Sequence, residues 1–323
     1  MNAKPASDCL VTVYGGSGFL GRHVVRALAK RHYRIRVACR RPDLTGHLQP
    51  LGRVGQIHAV QANLRHAGSV EAAAHDADFI VNLVGILAET GKQRFDAVQR
   101  AGAETVAKAA SARGARMVQV SAIGANENSP AGYARSKAEG ERLVLAANPS
   151  AVIMRPSIMF GPEDTFFNRF ASMARMAPAL PLIGGGLTRF QPVFAGDVAT
   201  AIADAVDGRA TPGATYELGG PEVLTFKQLM QFTLDTIERR RALVPLPFPI
   251  ASLMASVAQF MPGAPLTPGQ VEMLRTDNVV SDEAKRDRRT LEAFGIAPDS
   301  IATIVPTYLW RFRKTGQFSS SHA

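Results

Sequence analysis

Apolar residues in the first half of the chain alternate between short continuous runs and stretches where they recur every three or four positions. Leu10-Val11-Thr12-Val13-Tyr14 is one such run, rich in β-branched residues and ended by glycine, and it reads as a buried parallel strand. The stretch that follows sets Phe19, Leu20, His23, Val24, Ala27 and Leu28 on one stripe of a helix. The pattern then repeats, with strands at 34–39, 57–62, 79–83, 117–121 and 151–155 and helices at about 69–75, 94–113 and 131–147. Strand and helix in alternation predict an α/β fold, a doubly wound parallel sheet of the Rossmann type with right-handed crossovers.

After Pro156 the texture changes, because prolines from Pro162 to Pro262 cut the chain into short elements. The expected organisation is a short tail at 1–8, a nucleotide-binding domain at 9–160, a smaller substrate or docking lobe at 161–318, and a frayed tail at 319–323. The lobe interleaves with the sheet in this reading, since 191–194, the helix after Asp197 and the strand 215–218 can extend it. Between 249 and 261, Ile250, Leu253, Met254, Val257, Phe260 and Met261 form an apolar stripe, predicted to pack on the second lobe or over a substrate cleft. An interfacial or partner-binding helix is the alternative, although its polar face lacks the Lys and Arg of a membrane-surface helix.

Bulk properties narrow the function classes. No run approaches the roughly 18 apolar residues of a membrane-spanning helix, and residues 1–8 carry no signal-peptide core, so a cytoplasmic protein is expected. The two cysteines, Cys9 and Cys39, fit buried thiols better than a disulfide framework. The seven histidines fall at no ligand spacing with each other or with cysteine, so no metal site is expected. The net charge of +10 lies wholly in residues 1–160, with 21 Lys and Arg against 11 Asp and Glu; the remainder holds 16 of each. These cations are scattered over alternating strands and helices without interleaved aromatics, which argues against nucleic acid and leaves a phosphate-rich ligand or an anionic surface.

The chemistry concentrates in three places. Gly15, Gly18 and Gly21 sit between the first strand and first helix, where side-chain-free positions let the backbone approach a pyrophosphate at the positive end of the helix. A merely glycine-rich tight turn is the alternative. The second strand ends in Cys39-Arg40-Arg41-Pro42, with no acid to accept a ribose hydroxyl, and the two guanidiniums favour the 2′-phosphate of NADP(H) unless they are simply solvated. Tyr133 and Lys137 lie one helical turn apart, a spacing at which an ammonium can stabilise a phenolate, and Ser121 can hold a substrate carbonyl. The same Tyr-x-x-x-Lys spacing also occurs on solvated helices.

Taken in order, the glycine turn, Ser121, Tyr133-Ala134-Arg135-Ser136-Lys137, the run from Arg155 to Pro162 and the run from Gln191 to Ala199 resemble the extended or atypical short-chain dehydrogenases/reductases over about 10–220. Arg40-Arg41-Pro42-Asp43, the run from Asn82 to Leu87, the run from Phe160 to Phe170, Tyr216 to Pro221 and Val271 to Val280 look most similar to a bacterial form of the NADPH-binding accessory subunit of respiratory complex I, the alpha-subcomplex subunit nine family. The resemblance implies that the backbone at Ser17, Phe19 and Leu20 holds pyrophosphate, that Arg40, with Arg41, meets the 2′-phosphate, and that Asn63 meets the adenine edge. It also assigns Leu64, Val84, Lys137 and Pro156 to the nucleotide site. Its partners would be complex I subunits near the quinone site, on the cytoplasmic face of the inner membrane.

Two departures weaken catalysis under that resemblance. Ser121 and Tyr133 are only twelve residues apart, and Gln99 stands where related enzymes often carry an Asn in a proton relay. The leading expectation is therefore a subunit that holds NADP(H) without consuming it. The rivals are an active reductase or epimerase on a quinone precursor, isoprenoid or sugar nucleotide, with Tyr133, Lys137 and Ser121 catalytic, and a non-catalytic NADP(H) redox sensor.

Overall fold

A computed structural model describes residues 4–259 and 266–315. Phe260, Met261 and the tail at 319–323 lie outside the described residues. The chain divides into two compact units, the first drawn from Met1–Pro156, Gly196–Leu218 and Asp282–Ala297, the second from Ser157–Ala195, Gly219–Ser281 and Pro298–Ala323.

The first unit is a seven-stranded, all-parallel sheet. Its strands are β1 (Leu10–Tyr14), β2 (Arg34–Cys39), β3 (Ile57–Gln61), β4 (Phe79–Asn82), β5 (Arg116–Val120), β6 (Val152–Pro156) and β7 (Thr215–Leu218). They lie in the order β7-β6-β5-β4-β1-β2-β3, with Val13 level with Val37 on one side and Val81 on the other. The crossovers carry α1 (Phe19–Lys30), α2 (Ala67–Ala74), α3 (Ala101–Ala112) and α4 (Gly132–Ala147). The order reverses between β1 and β4, so a crevice opens at the carboxyl ends of these strands, where doubly wound sheets bind their ligands. Every residue of β1 is buried, as a central parallel strand requires. Two of its polar side chains are satisfied against α2: the Thr12 hydroxyl donates to the Ala73 carbonyl at 3.0 Å and the Tyr14 phenol to the Val70 carbonyl at 2.6 Å. Ile80, Val106, Met117, Val144 and Ile153 fill the layer between sheet and helices, each such side chain contributing roughly 1.5–3 kcal/mol on burial.

Two elements depart from the sequence pattern. The helix expected across 94–113 opens with a π-helical turn, Asp96–Arg100, before α3 begins. The extra residue in that turn swings Gln99 into the interior, where it is only 3% exposed. Periodicity cannot reveal such a bulge, and π turns gather at functional sites. The segment 191–194 does not join the main sheet: Val193 and Phe194 pair with Met159 and Phe160 in a separate two-stranded ladder. Pro192 has no N–H to donate to a ladder, and the Gln191 amide is already spent on the Gly220 carbonyl and the Val280 N–H.

The second unit is built around an aromatic core of Phe160, Phe167, Phe190 and Phe226, with Phe160 and Phe167 edge to face at 6.2 Å. Buried Asp164 accepts from the Tyr308 hydroxyl and from the backbone N–H groups of Gly161 and Asn168, and burial pushes its carboxyl above the usual range. In the helix Phe248–Ala258 the expected stripe faces the other way. Ala251 and Ala255 pack against Ile183 and Val271, while Ile250, Leu253, Met254 and Val257 are exposed. The small alanine face permits a closer approach than the bulky one. No helix among the described residues is long and apolar enough to cross a membrane.

Candidate functional site

The glycine turn joins β1 to α1 at the crevice. Gly15 has φ +77°, its N–H donates to the Ala38 carbonyl at 3.0 Å, and its carbonyl accepts from Gly18 at 3.1 Å. That left-handed conformation favours glycine. A Cβ on Gly21 would stand 2.5 Å from the Gly15 and Gly16 backbone, so α1 leaves the turn at a distance that no side chain permits. Gly18 caps α1 and no side chain caps the helix end. The first-turn N–H groups and the helix dipole are thus open to an anion brought close to the backbone, the arrangement a pyrophosphate requires. The Ser17 hydroxyl turns to the Cys39 thiol, whose pKa burial raises, so Ser17 offers the turn its backbone.

At the tip of β2 the two arginines differ. Arg41 is held by Asp43, with Nη2 to Oδ2 at 2.7 Å and Nε to Oδ1 at 3.0 Å, and that partner lowers the Asp43 carboxyl. The expectation that both guanidiniums serve a phosphate is corrected: Asp43, two residues away, neutralises Arg41. Arg40 is exposed and unpaired among the described residues. Past β3, the Asn63 Oδ1 accepts the Arg65 N–H at 3.2 Å, so the free face of Asn63 is its NH₂ donor. Leu64 is a second correction. Its side chain is buried in the core, close to Gly102 of α3, and only its backbone is available to a ligand. Val84 stands over Gly15, with its N–H on the Asn82 side chain, and the Pro156 carbonyl accepts the Ile123 N–H at 3.0 Å.

Tyr133 and Lys137 occupy the first two turns of α4 as expected. The Lys137 ammonium donates to the Val120 carbonyl at the end of β5 at 3.3 Å, and burial lowers its pKa to about 8. Glu141 opposes that shift only in part, because both its oxygens are engaged by Arg155, at 2.9 and 2.6 Å. Burial pushes the Tyr133 phenol up to about 12. Ser121 follows Val120 directly; it is buried, its N–H donates to the Met154 carbonyl, and its hydroxyl has no partner among the described residues. An unpaired buried hydroxyl costs about 1–3 kcal/mol unless a ligand or water meets it.

Several supporting residues were not assigned from sequence. Gln99 donates to the Ser136 hydroxyl at 2.9 Å and accepts the Ile86 N–H at 3.4 Å, and Ser136 in turn donates to the Tyr133 carbonyl. A Cβ on Gly85 would stand 3.1 Å from Lys137 Nζ, so glycine there leaves the ammonium approachable. The Phe95 ring meets the Tyr133 ring edge to face at 6.1 Å. Asn82 donates across β4 and β5 to Gln119 in the buried floor of the crevice. The only signal for these was their place inside quoted motifs, since each acts through a neighbour in space. Among the described residues no group of three or more His, Cys, Asp or Glu could hold a metal.

Residues 11–219 match the model of the NAD dependent epimerase/dehydratase family. The mitochondrial NADH dehydrogenase (ubiquinone) 1 alpha subcomplex subunit 9 of Arabidopsis thaliana is 37% identical over 323 residues, spanning 96% of this chain and 79% of that protein. The ceramide reductase of Caulobacter vibrioides is 37% identical over 174 residues, 54% of each chain. Among solved structures, the dTDP-glucose 4,6-dehydratase of Bacillus anthracis in complex with NAD superposes with a TM-score of 0.69 over 94% of this chain and 96% of that one. At 17% identity that likeness shows the fold alone. With the switch-point crevice, the glycine turn and the Tyr133–Lys137 turn on one sheet, the chain belongs to the NAD dependent epimerase/dehydratase family, among the extended short-chain dehydrogenases/reductases.

Proposed function

We propose that the first unit holds NADP(H) without turning it over, and that the protein does so as an accessory subunit of a complex I-type assembly. The observation that carries the first part is the protonation state of the tyrosine pair. Proton transfer near neutral pH needs a phenol brought down by a cation; here burial drives Tyr133 up to about 12 and weakens the Lys137 ammonium to about 8. The second part rests on the likeness to the complex I subunit of Arabidopsis thaliana along 96% of the chain.

In this reading the backbone of Ser17, Phe19 and Leu20 meets the pyrophosphate, Arg40 the 2′-phosphate, and the Asn63 amide the adenine edge. Val84 and Pro156 line the crevice, and Lys137 reaches the nicotinamide ribose. NADP(H) is preferred over NAD(H) because Arg40 is free and no acid stands beside it. When bound, NADPH supplies a hydride donor at its nicotinamide. A nucleotide at 100 times its dissociation constant adds about 2.7 kcal/mol to folding stability, which suffices for a structural role. Attachment to the cytoplasmic face of the inner membrane would be peripheral, through complex I subunits near the quinone site.

The test is to purify the chain from gently solubilised membranes, denature it, and identify the released nucleotide. NADPH in near-equal amount and co-fractionation with complex I are expected. NAD(H) or no nucleotide, or a chain that never travels with complex I, sinks the reading.

One observation favours the rival. The unpartnered Ser121 hydroxyl fits a carbonyl anchor, which suits an NADP(H)-dependent reductase or epimerase on a quinone precursor, isoprenoid or sugar nucleotide, with Tyr133 as proton donor and Lys137 beside it. NADPH oxidation by such a compound that Tyr133→Phe abolishes would establish it; oxidation surviving in Tyr133→Phe removes the tyrosine from the mechanism.

A further inference from the structure

The surroundings of Tyr133 carry little free polarity. From the end of β4 the chain runs through Leu83, Val84, Gly85, Ile86, Leu87 and Ala88 without a charged or hydroxyl side chain, and Leu87 is 53% exposed. The charges that follow are consumed locally: Glu89 pairs with Arg94 at 3.3 Å and accepts the Phe95 N–H at 2.8 Å. On the segment leading into α4, Asn126 accepts the Asn128 N–H, and Arg135 donates to the Ser129 and Pro130 carbonyls. Gln99 is spent on Ser136 and Ile86. The Tyr133 ring itself lies against Phe95. What remains is the buried, unpartnered Ser121 hydroxyl, one residue from the carbonyl that holds Lys137.

These elements are drawn together at Lys137, which is bonded to the end of β5 and stands against Gly85. A sugar brought here would lose water from several hydroxyls and recover few hydrogen bonds, at roughly 1–3 kcal/mol for each left unmet. A single carbonyl on an apolar body needs one donor. We propose that the Tyr133 side of the crevice, bounded by Gly85, Ile86, Leu87, Phe95 and Ile123, takes an apolar carbonyl compound whose oxygen accepts from the Ser121 hydroxyl. The assignment builds on the nucleotide site read for the same crevice and holds whether or not hydride is transferred. A quinone and a long-chain ketone share this chemistry; a nucleotide sugar does not.

The full chain is titrated calorimetrically with decylubiquinone, with 2-undecanone and with UDP-glucose, both with saturating NADPH and without nucleotide. Saturable binding of decylubiquinone or 2-undecanone and none of UDP-glucose is expected, and the tighter of the two identifies the source. Leu87→Glu should weaken that binding about tenfold by placing a charge on the apolar wall, and Ser121→Ala about fivefold by removing the donor. NADPH affinity measured on the same samples reports whether each variant is folded. Binding of UDP-glucose, failure of both carbonyl compounds, or unchanged affinity in both variants overturns the proposal. Loss of NADPH binding with carbonyl binding retained would instead count against the nucleotide reading alone.

Discussion

The glycine turn and the Tyr133 side of the crevice share one sheet but are made of different material. At the turn, three backbone segments approach so closely that Gly21 excludes any Cβ, and the ligand-facing groups are N–H donors fixed by the chain itself. On the Tyr133 side the ligand-facing groups are side chains on α4 and at the end of β5, and their chemistry depends on what surrounds them. The same residues would form an acid–base pair in a wetter, more cationic setting, whereas burial here separates their proton affinities in the unhelpful direction. A site built from backbone keeps its function as long as the fold persists. One built from side chains can retain its letters and lose its reactivity.

The largest expected effect breaks the backbone side. Gly21→Val places a Cβ against the Gly15 and Gly16 backbone, which cannot give way as a flexible side chain would. Urea unfolding should show a loss on the order of 4 kcal/mol, with NADPH binding lost as well. Stability within about 1 kcal/mol of the parent chain would mean that the turn relaxes and that closeness is not what specifies it.

Next in size is the buried ammonium. Folding lowers the Lys137 pKa from 10.5 to about 8, so above pH 8 the unfolded chain binds more protons at this residue than the folded one. Stability therefore rises with pH between about 8 and 10.5, and the burial penalty is fully present below that window. Measured against Lys137→Met, the parent chain should gain about 3 kcal/mol across the window, from roughly 1.4 kcal/mol per pKa unit. Parallel pH profiles for the two proteins would show that the ammonium is well solvated and able to serve Tyr133.

Arg40 and Arg41 permit a finer cut. Arg40→Ala should weaken NADPH binding about tenfold and leave NADH binding unchanged. Arg41→Ala should change either by less than about twofold, because Asp43 already holds that guanidinium in an exposed pair. Equal losses from the two substitutions would restore both arginines to the phosphate.

The difference between the two sides also explains what the sequence could disclose. β1 and β2 were legible to the residue, since buried parallel strands are continuous apolar runs punctuated by glycine. The turn followed from three glycines in that setting. What could not be read is non-local: the π turn that brings Gln99 inward, the Asp43 that neutralises Arg41, and the outward stripe of the helix Phe248–Ala258. Tyr133 and Lys137 were found by spacing, but their proton affinities depend on burial by residues distant in sequence, which spacing does not encode.

The smallest effect tests the side-chain half directly. In a catalytic tyrosine the hydroxyl is the group that matters, and removing it abolishes turnover whatever it does to stability. In a tyrosine retained for packing, the ring is what counts, and Tyr133→Phe keeps the edge-to-face contact with Phe95. It also removes a hydroxyl from apolar surroundings, which offsets whatever weak bonding that hydroxyl makes. The expected outcome is a stability within about 0.5 kcal/mol of the parent chain and an NADPH affinity within about twofold, read from urea unfolding and direct titration. A loss above about 1.5 kcal/mol would reveal a committed hydrogen bond at the phenol, and the Tyr133 side would then prove as firmly specified as the glycine turn.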